Sequence, residues 1–570
     1  MKTSVRRVTL LVLVFFGIRP LFSQVENVPA DHPVYIFLKR MEVKGYLERY
    51  RDAILPLSRK EVGEFLVAAQ SHSSKLTGAE RGWLEDYLSE FAYDITGSTD
   101  GFHSLFGSEQ PSVGAALGQE LTNREKFFYV ATDSNLSFFF NGLMTLDGRG
   151  ISGDALGKTN AEYFQFGGRF RGTLYGHLGY YLQGTNALFW GSRQLLARDP
   201  LINQAHTLYV TDTKSFDFAQ GYVRYQYGML SAQVGRERLL WGYGNNQRMI
   251  VSDNVREFDA IRLEAQYKAF KYTFIHAWLL GMPSSITFTL PFDPSTHFVE
   301  PVIADKYLAA HRFSLSFPSL FELGFQEMYI YSNRAPDLAY MNPLMVLESA
   351  QRSRGERDNG LWAFDIKTAF MPGLQLTGTM LYDDIHLPYL FSGKWFDKYA
   401  WQVGMVYADP FSIGNTTLFV EYTRIQPYVF GHERSREDTY ASLGMVLGPS
   451  IGPNAESWFF RWDYLPTRNL FFSVRVSLDR KGENVFDSSG VLLRNVGGDI
   501  LIPHRDSDPD IVRFLDGTLV KSQQIQFVAT WEFLNQMWLD VIYQFDSQEN
   551  SVTGARAENR TSIVRLRTEL

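Results

Sequence analysis

From about residue 110 to its C-terminus the chain alternates apolar and polar residues with a period of two. Ile525, Phe527, Ala529, Trp531 and Phe533 alternate with Gln524, Gln526, Val528, Thr530 and Glu532. Leu470, Phe472, Val474, Val476 and Leu478 oppose Ser473, Arg475, Ser477 and Asp479. The last residues follow suit, with Val564, Leu566, Thr568 and Leu570 against Arg565, Arg567 and Glu569. Successive side chains of a strand point to opposite faces, so each run is a strand with one greasy and one wet side. No run beyond the N-terminus approaches the roughly 20 apolar residues of a transmembrane helix. If such a chain enters a membrane, it must do so as a closed barrel, which leaves no backbone group unpaired in lipid.

The connections support that reading. Tight ones occur at 175–177, 228–229, 268–270, 318–319, 371–373, 466–468 and 534–536. They alternate with connections of about 13 to 40 residues. Short turns at one end and long loops at the other are the arrangement of outer-membrane barrels. Strands are expected near 135–146, 162–172, 178–188, 217–227, 230–237, 258–268, 271–280, 308–317, 320–331, 360–370, 374–383, 397–408, 416–425, 456–465, 469–480, 521–533, 537–547 and 561–570. That makes about 18, an even number that returns the C-terminus to the short-turn side. The weakly alternating stretches 113–120 and 439–447 are read as non-spanning. The fold class is mainly β: a transmembrane antiparallel outer-membrane β-barrel with a small N-terminal α-helical bundle. A barrel of this size encloses room for water, so inward charges such as Arg169, Arg171, Arg262, Glu264, Arg475 and Asp540 are expected to line the lumen.

Three segments are expected. Residues 1–23 read as a signal peptide: Lys2, Arg6 and Arg7 precede the apolar run Val8 to Ile18, with cleavage after Ser23. Residues 28–97 form a periplasmic helical bundle. Val34, Phe37, Leu38 and Met41 share a helical face, and Ser58-Arg-Lys-Glu61 and Thr77-Gly-Ala-Glu80 are capping boxes. Residues 110–570 form the barrel. A net charge of -7 argues against a nucleic-acid partner. The absence of cysteine excludes disulfides, thiolate metal sites and a Cys nucleophile.

One loop concentrates unusual residues: Gly235 to Ile261 carries Arg236, Arg238, Trp241, Tyr243, Asn245, Asn246, Arg248 and Arg256. Two others are similar in kind. One holds Trp190 and Arg193; the other holds Arg334, Tyr340 and Asn342. Aromatic faces cover the C–H side of a sugar ring, and Asn, Asp and Arg address its hydroxyls or acidic groups, Arg as a paired donor. These thirteen residues are the candidate polysaccharide contacts. The competing reading is that the arginines pair with Glu237, Asp253, Glu257 and Asp259 and knit the loops into the lumen.

Gly235-Arg236, Trp241-Gly-Tyr-Gly244, Ser252-Asp-Asn254 and Phe258-Asp259 also form a motif string. It continues through Glu322 to Tyr331, Tyr340-Met-Asn-Pro-Leu344, Asp358-Asn359, Asp383-Asp384, Tyr422-Thr-Arg424 and Gly448 to Asn454. With His32-Pro33, Leu57-Ser58 and Glu61, this string resembles the capsule assembly Wzi family. The resemblance implies an eighteen-stranded outer-membrane lectin that helps anchor capsular polysaccharide and is not an enzyme. Its implied partners are capsular or extracellular polysaccharide, outer-membrane lipid and the polysaccharide export machinery. No cofactor and no metal are expected. No HExxH, GxSxG or P-loop occurs, and Asp383 and Asp384 would point to opposite faces of a strand unless the strand ends there. The alternative function is a general porin or solute channel.

Overall fold

The computed structural model describes residues 24–106, 125–205, 214–290, 293–318, 320–353, 355, 357–384, 387–433 and 435–570. The signal segment, the stretch 113–120 and His386 lie outside them. Eighteen antiparallel strands close a barrel. They are β1 (Ser137–Gly153), β2 (Gly157–Leu174), β3 (Leu178–Gly191), β4 (Ser215–Tyr227), β5 (Leu230–Glu237) and β6 (Phe258–Tyr267). Next come β7 (Phe270–Leu290), β8 (Asp293–Phe317), β9 (Phe321–Ser332), β10 (Asn359–Met371), β11 (Leu374–Asp383) and β12 (Lys398–Ala408). The last are β13 (Thr416–Ile425), β14 (Ala455–Thr467), β15 (Leu470–Glu483), β16 (Thr518–Leu534), β17 (Met537–Asn550) and β18 (Arg556–Glu569). Closure joins β18 to β1, from Glu569 opposite Leu143 to Asn559 opposite Gly153. A short strand, Tyr129–Thr132, adds beside the first residues of β1.

Each of the eighteen expected strands is present, because the parity of the pattern survives wherever one face meets lipid. Val223, Val234, Phe527, Val541 and Val564 form part of an exposed outer belt. The strands differ in length. The connection between β1 and β2 is only residues 154–156, and β7 and β8 run on to Leu290 and from Asp293. Above the lipid belt a strand has water on its outside, so its alternation fades and its continuation reads as loop. The stretch 439–447 is non-spanning, with Ala441–Ser442 paired to Met445–Val446.

Among the described residues four α-helices precede the barrel: α1 (Val34–Val43), α2 (Arg59–Gln70), α3 (Gly78–Glu90) and α4 (Ala92–Thr96). Both capping boxes form, Ser58 with Glu61 and Thr77 with Glu80. The helices pack around Phe37, Leu38, Met41, Val62, Leu66, Leu84 and Phe91. They sit at the short-turn end: Arg51 donates to the Lys268 carbonyl (2.7 Å), Arg468 approaches Asp86 (3.5 Å), and Thr77 bonds Asn415.

The residues before and between these helices enter the lumen, where inward charges hold them. Arg171 pairs with Glu26 (3.1 Å) and Arg224 donates to the Val25 carbonyl (2.7 Å). Lys367 meets Glu42 (2.6 Å) and Asp52 (2.8 Å). Arg262 donates to the Pro56 carbonyl (3.3 Å). The expectation that Arg171 and Arg262 line a watery lumen is corrected: they face a polypeptide plug that supplies the carboxylates and carbonyls their burial requires.

Gly235 shows how tightly the wall is built. Its φ is +138°, and a Cβ there would stand 2.3 Å from the Gly221 carbonyl oxygen and 2.5 Å from Tyr222 Cα. Both atoms belong to the backbone of β4 and cannot swing away. Gly235→Ala is expected to cost about 2 kcal/mol, read as a lowered urea midpoint. Gly150→Ala, whose new methyl would meet open space, should leave that midpoint nearly unchanged.

Candidate functional site

The stretch 235–261 leaves β5, turns into the barrel and crosses it. Leu240–Trp241 pairs antiparallel with Ile54–Leu55 of the plug. Trp241 also exchanges both backbone hydrogen bonds with Val251 (2.9 and 3.0 Å). On its other side the stretch meets the later loops: Ser252 N–H donates to the Leu447 carbonyl (2.7 Å), Asn254 to the Val446 carbonyl (2.7 Å), and the Tyr440 hydroxyl to the Ile250 carbonyl (3.1 Å). Trp241, Met249, Ile250, Val251 and Val255 then form one apolar core with Val429, Phe430, Tyr440 and Leu447. Inward wall residues Ile275, Ala277, Leu308, Ala310, Met328 and Ile330 complete it. Two packed layers therefore lie across the lumen, the plug below and this core above.

That placement decides the fate of the candidate residues. Trp241 is fully buried, its indole N–H donating to Gln326, and Tyr243 is buried between the cations of Lys367 and Arg312 (5.4 and 5.7 Å from its ring). The Asn245 and Asn246 backbone N–H groups donate to the Glu421 carboxylate. Arg248 donates to the carbonyls of Asp52 (2.8 Å), Ala53 (3.3 Å) and Gly242 (2.9 Å). Burial lowers its pKa, and the Asp52 carboxylate opposes that shift. Arg256 donates to Glu257 (2.8 Å) and lies over the Phe218 ring (4.7 Å). Arg238 donates to the Asp253 carbonyl (2.7 Å). These side chains knit the partition together, so the expectation that Trp241, Tyr243 and Arg248 meet polymer is corrected: Trp241 and Tyr243 are buried, and the Arg248 guanidinium donates to carbonyls of the protein.

Strand parity moves others to the outer wall. Arg236 shares the outward face of β5 with Val234 and pairs with Asp259 (2.7 Å), both half exposed. Trp190 stands exposed on the outward face of β3 with Leu182 and Leu188, where it is a membrane girdle residue. Arg193 begins a short helix, Arg193–Leu196, whose Leu195 and Leu196 pack inward against Phe189 and Phe216. Arg334 forms a paired contact with both Asp358 oxygens (2.7 and 2.8 Å). Tyr340 is buried and donates to Asp358 (2.7 Å), while Asn342 is exposed. The Arg334 loop does not cover the barrel mouth but lies against the outside of the wall. Asp383 and Asp384 do converge, on Lys398 (3.2 and 2.6 Å). The strand ends at Asp383, and Asp384 takes a left-handed φ of +53°. Among the described residues no group of three or more His, Asp or Glu side chains is placed to hold a metal ion.

The loop end carries an aromatic ledge on other residues. Trp395 and His504 stack at 4.2 Å with their planes 7° apart, and Tyr428 meets His504 edge-on at 5.5 Å. The two loops are held in register by the Trp395 N–H to the Asp510 carbonyl and the Val512 N–H to the Gly393 carbonyl, each 2.9 Å. Exposed Tyr389 packs on Phe396 at 5.2 Å, with Lys394 over its ring. Beside the stack, Asp508 accepts from Arg505 (2.6 Å) and Asn495 (2.9 Å). Burial alone would raise the Asp508 pKa; these donors outweigh it and hold the carboxyl below its ordinary range. Flat rings beside fixed planar donors and acceptors are what a sugar ring needs. Four aromatics within residues 389–396 were the available signal in the sequence; their partner His504 lies more than a hundred residues away.

The family model described as capsule assembly protein Wzi matches residues 148–561. No curated protein sequence matches the chain. Among solved structures, the Escherichia coli outer-membrane protein Wzi, described as a carbohydrate-binding β-barrel involved in group 1 capsule assembly, aligns with a TM-score of 0.54 at 12% identity, covering 95% of this chain and 98% of that one. The Pseudomonas aeruginosa barrels OccK3 (OpdO) and OccK10 (OpdN) align at 0.41 and 0.39 with 11% and 10% identity, over 76% of this chain and 95% and 99% of theirs. The family match spans most of the barrel, and with it the closed eighteen-stranded wall and its apolar belt place the protein in a bacterial outer membrane: the chain belongs to the capsule assembly protein Wzi family.

Proposed function

We propose that this protein binds capsular or extracellular polysaccharide at the cell surface and helps retain it, without catalysis, using the loop-end ledge around Trp395 and His504. One observation carries the reading. Two packed layers cross the lumen, so the surface offered to a polymer is the outside of the loops, and the ledge there combines stacked rings with fixed polar groups. The short-turn end, with the 28–97 bundle, faces the periplasm, as turns do in barrels of this kind. There the bundle is the face available to export machinery.

The test is retention in an encapsulated host. Trp395→Ala and His504→Ala should each weaken polymer binding about tenfold, equivalent to about 1.4 kcal/mol, and shift polysaccharide from the cell-bound to the released fraction. An unchanged ratio with correctly folded barrel overturns the assignment to this ledge. The porin alternative predicts steady single-channel currents in planar bilayers; the wild-type barrel is expected to be electrically silent.

A further inference from the structure

The loop between β9 and β10 folds down the outside of the barrel. In β8 and β9, Leu308, Ala310, Met328 and Ile330 belong to the lumen core. Alternation therefore turns Tyr307, Ala309, His311, Phe313, Phe325, Glu327, Tyr329 and Tyr331 outward. On this outward face Tyr340 stacks on Tyr331 (4.9 Å) and Tyr329 (5.8 Å), and Leu347 and Ala350 are fully buried against them. The carboxylate of Glu327, on the outside of a membrane strand, accepts from the N–H groups of Leu347 (3.0 Å) and Glu348 (2.7 Å) and from His311 (2.8 Å). A charge on the lipid-facing wall is thereby enclosed by the loop. The Tyr272 hydroxyl, three positions above the turn at 268–269, donates to the Pro343 carbonyl. The loop thus reaches down nearly the whole height of the wall.

Much of its backbone pairs within the protein. Asp337 N–H donates to the Tyr331 hydroxyl (3.1 Å), Ala339 to the Asp337 side chain (3.0 Å), Leu344 to the Asn342 side chain (3.0 Å) and Met345 to the Asn342 carbonyl (3.1 Å). Ser349 and Ala350 both donate to the Val346 carbonyl (3.0 and 3.2 Å). Irregular backbone at membrane depth requires such internal pairing. Meanwhile Leu344 is 89% exposed and Leu338 81%, and the outward wall residues Leu315, Leu323, Phe364 and Ile366 are exposed as well. Between residues Pro343 to Val346 and the wall lies a cleft of about 520 Å³, walled by Phe270, Tyr272, Phe313, Phe325 and Trp362.

We infer that residues 338–347 ride in the bilayer against the barrel and that this cleft holds one acyl chain of a membrane glycerolipid. The cleft is continuous with the lipid-facing belt and lined almost wholly by carbon, and an acyl chain is the apolar rod that surrounds it. The inference rests on the membrane-spanning barrel and not on the polysaccharide reading. It also explains why the motif Tyr340 to Leu344 pairs a buried ring with a solvent-shy, fully projecting leucine.

The chain has no cysteine, so single-cysteine labelling is clean. A nitroxide on Leu344→Cys in the full chain, in phosphatidylethanolamine–phosphatidylglycerol vesicles, should collide severalfold more with oxygen than with a water-soluble nickel chelate. Excess nickel collision would place the loop in water, and loss of both would mean that protein covers it; either result overturns the inference. Native mass spectrometry then reads the occupant. Wild type should retain one glycerolipid mass, and Ala265→Trp, which fills the cleft from the outward face of β6, should lose it while keeping the heat-modifiable mobility of a folded barrel. Equal retention in both, no retention in wild type, or a free fatty acid in place of a glycerolipid overturns it.

Discussion

Trp241→Ala will destabilise the protein by about 3–5 kcal/mol, the range for truncating a fully buried tryptophan. The ring is completely enclosed, and it stands where three parts of the chain meet: the plug strand Ile54–Leu55, the crossing stretch 235–261 and the late loops through the Tyr440–Leu447 core. Its loss leaves a cavity that the rigid wall cannot close, and it removes a donor from Gln326, which keeps its bond from Arg312 (3.2 Å). The measurement is the urea midpoint of the folded, heat-modifiable barrel. Polysaccharide binding by the fraction that remains folded should change little, since the indole meets no solvent. A selective loss of binding with unaltered stability would show that Trp241 is a contact and not a keystone.

Lys367→Met will cost about 3–5 kcal/mol, because it keeps the volume but strips a buried cation from its carboxylates. Lys367 is 4% exposed and reaches Glu42 (2.6 Å), Asp52 (2.8 Å) and Glu322 (3.9 Å). This contact joins the plug to the wall, so its loss should appear as faster proteolysis of the 28–97 segment. The pH dependence follows from Asp52. Burial alone would raise its pKa, but Lys367 and Lys39 outweigh burial and hold the carboxyl well below its ordinary range. An acid depressed in the folded state contributes its full stability above the unfolded value of about 4 and loses it as pH falls through the folded value. Wild-type stability from this contact should therefore persist below pH values at which an ordinary carboxyl protonates. In Lys367→Met the ion pair with Lys39 (2.7 Å) remains, and the loss should begin at higher pH. Identical acid profiles would exclude this contact as the plug's anchor.

The legible parts of the fold were those with a one-dimensional signature. Alternation at β15, β16 and β17 survives because each outward residue meets lipid whatever its neighbours are. The capping boxes at Ser58 and Thr77 are closed within four residues. The site was far less legible. Gly235 to Ile261 has the composition of a sugar-binding loop, and an arginine that meets a carbonyl inside the barrel looks the same in sequence as one that meets a polymer outside it. Trp190 and Arg236 were separated from the lumen by parity alone, and the Trp395–His504 stack joins residues that no local pattern connects.

What the sequence by itself determined is the barrel: period-two alternation, strand number, closure and the membrane it suits all follow from which face of each strand is apolar. Only the tertiary structure decided where the loops go. The same apolar loop residues can bury themselves by folding into the lumen, as Trp241 and Ile250 do, or by folding down the outer wall, as Tyr340 and Leu347 do. Hydrophobic burial has no direction and so does not choose between the two. The choice rests on partners distant in the chain: Ile54 and Leu447 draw one loop inward, and Glu327 with Tyr331 holds the other against the membrane face.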